Sequence, residues 1–331
     1  MLLLLLPLLL TGCGEQANFA LIYGNTMSDE MLTVSSSKMA LPDALTENGL
    51  PSAESVLVYT SEYDIISADA SDMILSSSGA VDIGGTTYES VVGLILNPPE
   101  ATIQDAYSLT RGYLEAGEQV LFLYLDGFGY DKWLSALNRG IVPNLAQLTV
   151  EQAADAYPTI TPVNYAAMVT GKTPYVNGIK QRSDHTLACP SIFDYTEANN
   201  LSTIIIEGDK QIINFAIEQQ LHPDYNDDGD TDNEVFATAL QAVTDGSYDL
   251  VFVHFHGIDD SEHTNGPQTD QVFDKIASED LMVGQLLAIW QGRVVVVSDH
   301  GQHLSKEEDD DRSGVHGTFC ADDIFVPLMY R

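Results

Sequence analysis

Three apolar runs in this sequence end in side chains that can hold a cation. Leu121–Leu125 runs into Asp126-Gly127, Leu250–Phe255 into His256-Gly-Ile-Asp259-Asp260, and Val294–Val297 into Ser298-Asp299-His300-Gly301. An acid placed directly after a buried strand is costly unless something positive faces it. The chain carries 13 Lys+Arg against 49 Asp+Glu, a net charge of −36, so its own cations are too few to serve. Divalent metal ions are the simplest partners. Asp259 and His263 strengthen this reading, because residues four apart on a helical turn share a face and can share one ion. His316 stands between two glycines in Gly314-Val-His316-Gly317. Thr161 is of another type, in Tyr157-Pro-Thr-Ile-Thr161-Pro162-Val-Asn164-Tyr165. Pro162 favours the first turn of a helix. Thr161 is then either a capping threonine or a nucleophile held where a helix N-terminus favours an alkoxide and a bound phosphate. A threonine hydroxyl attacks at neutral pH only with a base or a metal beside it.

These residues need a frame to bring them together. The apolar runs Val120–Leu125, Thr203–Ile206, Leu250–Phe255, Val294–Val297 and Ile324–Leu328 alternate with helix-like segments such as Ala106–Glu115, Glu234–Val243 and Gln271–Trp290. Continuous apolar strands alternating with helices predict an α/β fold with a parallel sheet covered on both faces. The carboxyl ends of such strands share one edge, where ligands bind, so the acidic tips are expected to meet. This domain is expected over residues 102–331. Residues 14–101 read as an N-terminal extension or subdomain of unassigned role. Its candidate strands are Ser55–Tyr59 and Val91–Leu96, with a Gly84-Gly85 hairpin before the second and a boundary at Asn97-Pro98-Pro99-Glu100.

Residues 1–13 stand apart. Met1–Leu10 is nearly pure leucine, too short to span a bilayer, and reads as the apolar part of an export signal. Leu10-Thr11-Gly12-Cys13 resembles a bacterial lipobox, although no Lys or Arg precedes the apolar run. Export to the extracytoplasmic face is expected, with membrane attachment only through a lipid on Cys13. The negative charge repels nucleic acid and anionic headgroups, which removes nucleic acid from the partners. Cys189 and Cys320 would form either a disulfide or two free thiols.

In order, LDGFG, PTITPVNYAAMVTGKTPYVNGI, DDSEHTNGP, SDHG and GVHG resemble the motifs of the alkaline phosphatase superfamily, and most closely its type I phosphodiesterase/nucleotide pyrophosphatase branch. The resemblance runs from about Val120 to the C-terminus. It implies a three-layer sandwich around a mostly parallel sheet, and two divalent ions, zinc by ligand type with manganese tolerable. One ion would be held by Asp259, His263 and His316, the other by Asp126, Asp299, His300 and the Thr161 hydroxyl. It further implies in-line attack by Thr161 on a small phosphate ester, a phospho-threonine intermediate and its hydrolysis, with Asn164 on the substrate side. The Cys/Ser-x-Pro-x-Arg motif of the sulfatase branch is absent, and the phosphomutase branch fits an export signal badly.

The chain departs from its branch after Asn177-Gly178-Ile179. Where the family often has a phosphate-binding Asn, this sequence has Lys180-Gln181-Arg182. An Arg182 guanidinium could grip two phosphate oxygens, which favours a monoester, or it could be an ordinary surface arginine. Phe128 and Tyr165 are the candidates for stacking a nucleobase. Asp224–Glu234 resembles a calcium loop, with Val235 where the closing Glu belongs. Glu307–Asp311 reads as a solvated loop at the rim of the site, and His254 and His256 as support residues or plain strand residues. Besides a phosphodiesterase, the chain could be a phosphomonoesterase, a phosphotransferase using an alcohol in place of water, or a non-catalytic metal-binding surface lipoprotein.

Overall fold

The computed structural model describes residues 16–305 and 312–331. The export run Met1–Leu10, the lipobox-like Leu10–Cys13 and the acidic run Glu307–Asp311 lie outside them.

An eight-stranded sheet forms the centre, in the spatial order Ala101–Thr102, Thr149–Ala154, Phe325–Tyr330, Arg293–Val297, Val120–Leu125, Leu250–Phe255, Thr203–Glu207 and Gln219–Leu221. Val120–Leu125 is buried at every residue and pairs in parallel with Leu250–Phe255 and with Arg293–Val297. Its side chains alternate between the two faces. Leu121, Leu123 and Leu125 join Val251, Val253, Val294 and Val296 in one core, under helices Tyr130–Arg139, Asp232–Asp245 and Asp270–Ile289. Val120, Phe122 and Tyr124 join Leu250, Phe252, Val295 and Val297 in the other, under Asp105–Glu115, Thr161–Thr170 and Ile192–Ala198. Two covered faces explain why these strands read as unbroken apolar runs. Phe325–Tyr330 runs antiparallel to both its neighbours. The sheet is thus mostly parallel, as the resemblance implies, and the last apolar run is its antiparallel member. Thr149–Ala154 was not anticipated, since only its last two residues are buried and it carries no apolar run.

Residues 17–96 build a five-stranded sheet, ordered Ser28–Val34, Ala17–Tyr23, Val91–Leu96, Ser55–Thr60 and Ile65–Asp69, with a smaller four-stranded one beside it. The Gly84-Gly85 turn joins two short strands that pair at Ile83 and Thr86. Leu21, Val56, Val58 and Leu94 point into a core of this unit's own. Ile22, Leu57, Tyr59 and Ile95 point the other way and pack on Ala154, Ala321, Ile324 and Phe325. The edge that continues into the metal-capable tips is thereby braced from a second unit. Among the described residues no helix is long and apolar enough to cross a membrane.

Candidate metal centre

The strand tips converge as their spacing predicts. Asp126 follows the central strand, Asp299 and His300 follow Arg293–Val297, and Asp259 and His263 lie one turn apart on the helix Gly257–Asn265. His300 Nε2 is 3.4 Å from Asp126 Oδ1, 3.3 Å from Asp299 Oδ2 and 3.9 Å from Asp259 Oδ1. His263 Nε2 is 3.4 Å and His316 Nε2 is 3.9 Å from the Asp259 carboxylate. Gly127 makes the approach possible: it has φ +76°, and a Cβ there would stand 2.8 Å from the Asp259 Cα. Thr161 opens its helix, and its Oγ1 lies 3.4 Å from His300 Nε2.

Each imidazole is aimed from behind. The Nδ1 of His263 pairs with the Gly314 carbonyl at 2.8 Å, that of His316 with Thr159 at 2.8 Å, and that of His300 with Gly301 at 3.2 Å. Nε2 is thus the nitrogen turned toward the Asp126, Asp259 and Asp299 carboxylates in all three, which is how ligating histidines are usually fixed. The carboxylates are arranged in the same sense. Asp299 Oδ1 accepts from the Gly127 N–H at 3.2 Å, while Asp299 Oδ2 and Asp126 Oδ1 are buried without a hydrogen-bond partner. Buried acceptor oxygens left open are costly, and a cation between them and His300 removes that cost. Asp126, Asp299 and His300 form one group with ligand atoms within 4.8 Å of one another, and Asp259, His300 and His316 form a second. Carboxylates and imidazoles in this mixture could hold a divalent cation.

Electrostatics agree. Burial pushes the Asp259 and Asp299 carboxyls well above the ordinary range, and the Asp126 charge adds to it. Burial opposes ionisation of Asp126 too, but hydrogen bonds from His254 and His256 outweigh it and hold this carboxyl low. Burial holds His300 down to about 4, and with the nearby His300 it holds His316 well below its ordinary value. The centre thus combines two imidazoles disfavoured from protonation, His300 and His316, with crowded carboxyls whose charge a cation would relieve.

Sequence reading undervalued His254 and His256. Asp126 Oδ2 lies 3.2 Å from His254 Nε2 and 3.4 Å from His256 Nδ1. His254 Nδ1 in turn lies 2.8 Å from Glu207 Oε2, and the Tyr165 hydroxyl donates to the other Glu207 oxygen. Two imidazoles thus hold the outer oxygen of Asp126 and leave the inner one for the centre. The signal was present in His254-Phe-His256 at a strand end, but only the cross-strand pairing reveals what the rings face.

A cavity of about 570 Å³ opens over Asp126, Thr161, His256 and Asp259, with Arg182 and Lys210 in its lining. Arg182 is exposed, yet its guanidinium reaches His316 Nε2 at 3.1 Å. Asn164 does not face this space. It is fully buried, and its amide takes the Ala156 N–H at 2.9 Å and gives to the Ala156 carbonyl at 3.2 Å. Its substrate role is therefore replaced by that of a latch on the Thr161 loop. Phe128 and Tyr165 are also fully buried, one edge-on to Trp133 and the other stacked on Phe252, so neither is placed to stack a base. In Asp224–Glu234 the carboxylates are taken by backbone N–H groups of the loop itself, and Lys275 holds Asp230 and Asp232 at 2.5 and 2.6 Å. No residue of this loop is in a converging metal-capable group among the described residues. Cys189 and Cys320 are free.

Residues 193–316 match the model of the type I phosphodiesterase/nucleotide pyrophosphatase family. That segment holds Asp259, His263, Asp299, His300 and His316, while Asp126 and Thr161 precede it. The match covers part of the chain, and the solved structures described next share its fold. Murine ectonucleotide pyrophosphatase/phosphodiesterase 5 superposes with a TM-score of 0.52 at 15% identity, covering 64% of this chain and 88% of that one. Its human counterpart does so with a TM-score of 0.50 at 12% identity, covering 65% and 88%. In sequence, the human GPI ethanolamine phosphate transferase 2 catalytic subunit is 21% identical over 188 residues, 52% of this chain and 18% of that protein. The chain therefore spans less than a fifth of that protein's length.

Proposed function

We propose that this protein is a two-metal phosphoester hydrolase of the phosphodiesterase type, with Thr161 as nucleophile. The observation that carries the proposal is Thr161 Oγ1 at a helix N-terminus, 3.4 Å from His300 Nε2, beside the open oxygens of Asp126 and Asp299. Asp259, His263 and His316 would hold one divalent ion, and Asp126, Asp299, His300 and Thr161 the other, zinc by donor type and manganese tolerably. When bound, such ions polarise phosphoryl oxygens and make a hydroxyl more acidic. Thr161 Oγ attacks phosphorus in line, the P–O bond to the leaving group breaks as the threonine phosphate forms, and the hydroxyl proton ends on the departing alcohol oxygen. The N–H groups of the first helical turn face the negative charge on the phosphoryl group. Arg182 reaches the same space and donates to non-bridging oxygens. Water then displaces Thr161 and releases phosphate or its remaining ester.

One likeness supports the reading. An inactive threonine-to-alanine variant of murine ectonucleotide pyrophosphatase/phosphodiesterase 5 was solved with AMP, which fits a threonine at the reacting centre. No Phe, Tyr or Trp is among the cavity-lining residues, so we assign a phosphoester without a nucleobase in preference to a nucleotide. Transfer of a phosphoryl-linked group to an alcohol is the second reading, favoured by the name of the ethanolamine phosphate transferase relative. We also propose that the protein works outside the cell, held by a lipid on Cys13, on the strength of its lipobox-like sequence. The test compares hydrolysis of bis-p-nitrophenyl phosphate and p-nitrophenyl phosphate with zinc, with manganese and with chelator. A metal-dependent preference for the diester is expected. Preference for the monoester would replace the phosphodiesterase reading by a phosphatase, and chelator-resistant turnover would overturn the metal mechanism.

A further inference from the structure

Three donors of different elements meet at a turn that the reaction above does not use. His303, Cys320 and Asp323 offer a ring nitrogen, a sulfur and a carboxylate oxygen within 4.8 Å of one another. His303 Nδ1 lies 2.7 Å from Asp323 Oδ1 and 3.8 Å from Cys320 Sγ. Asp323 is fully buried, while His303 and Cys320 are partly exposed. The second Asp323 oxygen accepts from both the Thr318 N–H and its hydroxyl at 2.9 Å, which turns Oδ1 toward the other two donors. Cys320 is a free thiol, and the Thr318 hydroxyl stands 3.2 Å from its sulfur.

We propose that His303, Cys320 and Asp323 form a third metal site, taking one thiophilic divalent ion such as zinc. A tetrahedral ion bonded at about 2.0–2.1 Å to nitrogen and about 2.3 Å to sulfur sets those atoms about 3.5 Å apart. The His303–Cys320 separation is already within a few tenths of an ångström of that. The His303–Asp323 hydrogen bond must open to about 3.4 Å, and the coordinate bonds replace it. Three protein donors leave the fourth position to water or an added ligand. The turn packs against the strand tip of the main centre. Gly301 N donates to the Asp323 carbonyl at 3.0 Å, and a Cβ on Gly301 would lie only 2.1 Å from the Asp322 carbonyl oxygen. An ion here would brace the turn that supports Asp299 and His300 without sharing a ligand with them.

The test does not depend on turnover. Metal-stripped protein is titrated with Co2+ and followed in the near ultraviolet, where only a thiolate ligand gives a strong charge-transfer band. The ligands of the main centre are oxygens and nitrogens and contribute none. A band whose final intensity corresponds to one cobalt–thiolate bond per protein is expected. Cys320→Ser should abolish it and lower total bound metal by one equivalent, and Cys189→Ser should leave it intact. His303→Ala, a second variant in case Cys320→Ser folds poorly, should weaken the band's cobalt affinity at least tenfold. No band in the unaltered protein, or a band that survives in Cys320→Ser, would overturn the proposal while leaving the hydrolase reading untouched.

Discussion

The Glu207–His254–Asp126 chain makes a prediction that can be worked from the geometry. Asp126 can present Oδ1 to an ion because its Oδ2 is held by two imidazoles at 3.2 and 3.4 Å. His254 keeps its orientation through Glu207 at 2.8 Å behind it and through stacking on Tyr124, with ring centroids 3.6 Å apart. Glu207→Gln preserves volume but turns one of two accepting oxygens into an NH2 donor. That group must face the Tyr165 hydroxyl or His254 Nδ1 and make either one accept, so a bond to a carboxylate gives way to a weaker neutral one. Altered support of this kind typically costs 10–100-fold in metal affinity, or about 1.4–2.7 kcal/mol. Stability should fall by about 0.5–1.5 kcal/mol for the weakened bond. His254→Ala should cost more, about 3–5 kcal/mol, because it removes one buried partner from each of two carboxylates at once. The assay is competition for zinc between metal-stripped protein and a chromophoric chelator, with urea unfolding of the same samples. Folded Glu207→Gln protein that binds zinc as tightly as the parent would refute the positioning argument.

Two further outcomes follow from named contacts. Arg182→Ala removes a charged donor beside His316, worth about 1.5–3 kcal/mol on a bound phosphate. It should lower kcat/KM for p-nitrophenyl phosphate about 10–150-fold and that for the diester by less; equal losses on both would make Arg182 a general electrostatic contributor. Glu279 is buried without a hydrogen-bond partner, and burial, then the nearby Asp232, raises its carboxyl well above the usual range. The native state therefore holds a proton that the unfolded chain gives up, and stability is lost as pH rises from the ordinary glutamate range upward. Glu279→Gln should be more stable than the parent by about 1–3 kcal/mol at pH 8, with the gap closing toward pH 4.5. Parallel stability curves in urea unfolding across that window would contradict this.

Much of the centre was legible because strand ends in a parallel sheet carry ligands to one edge. Asp126, Asp299 and His300 could be located from their apolar runs alone, and Asp259 with His263 from helical spacing. The antiparallel direction of Phe325–Tyr330 was hidden, since an apolar run looks the same in either direction. Thr149–Ala154 was hidden because it has no apolar run. Asn164 misled because a motif position says nothing of where an amide points, and in the fold its two polar atoms are taken by Ala156. His254 and His256 lay in plain view, but their role depends on Asp126 standing on the neighbouring strand in register. The His303–Cys320–Asp323 cluster joins residues from two sides of the GVHG motif, and no spacing rule links them.

The central claim is that Thr161 is the group attacking phosphorus. The most direct measurement compares Thr161→Ala and Thr161→Ser with the parent protein for turnover of bis-p-nitrophenyl phosphate, with metal content and unfolding curve recorded on the same preparations. The account predicts that Thr161→Ala keeps its fold and its metal to within a small loss of affinity, while turnover falls by about 10³-fold or more. Thr161→Ser should retain measurable turnover through its own hydroxyl. A Thr161→Ala protein that turns over within a few-fold of the parent, with the same metal content, would contradict the account.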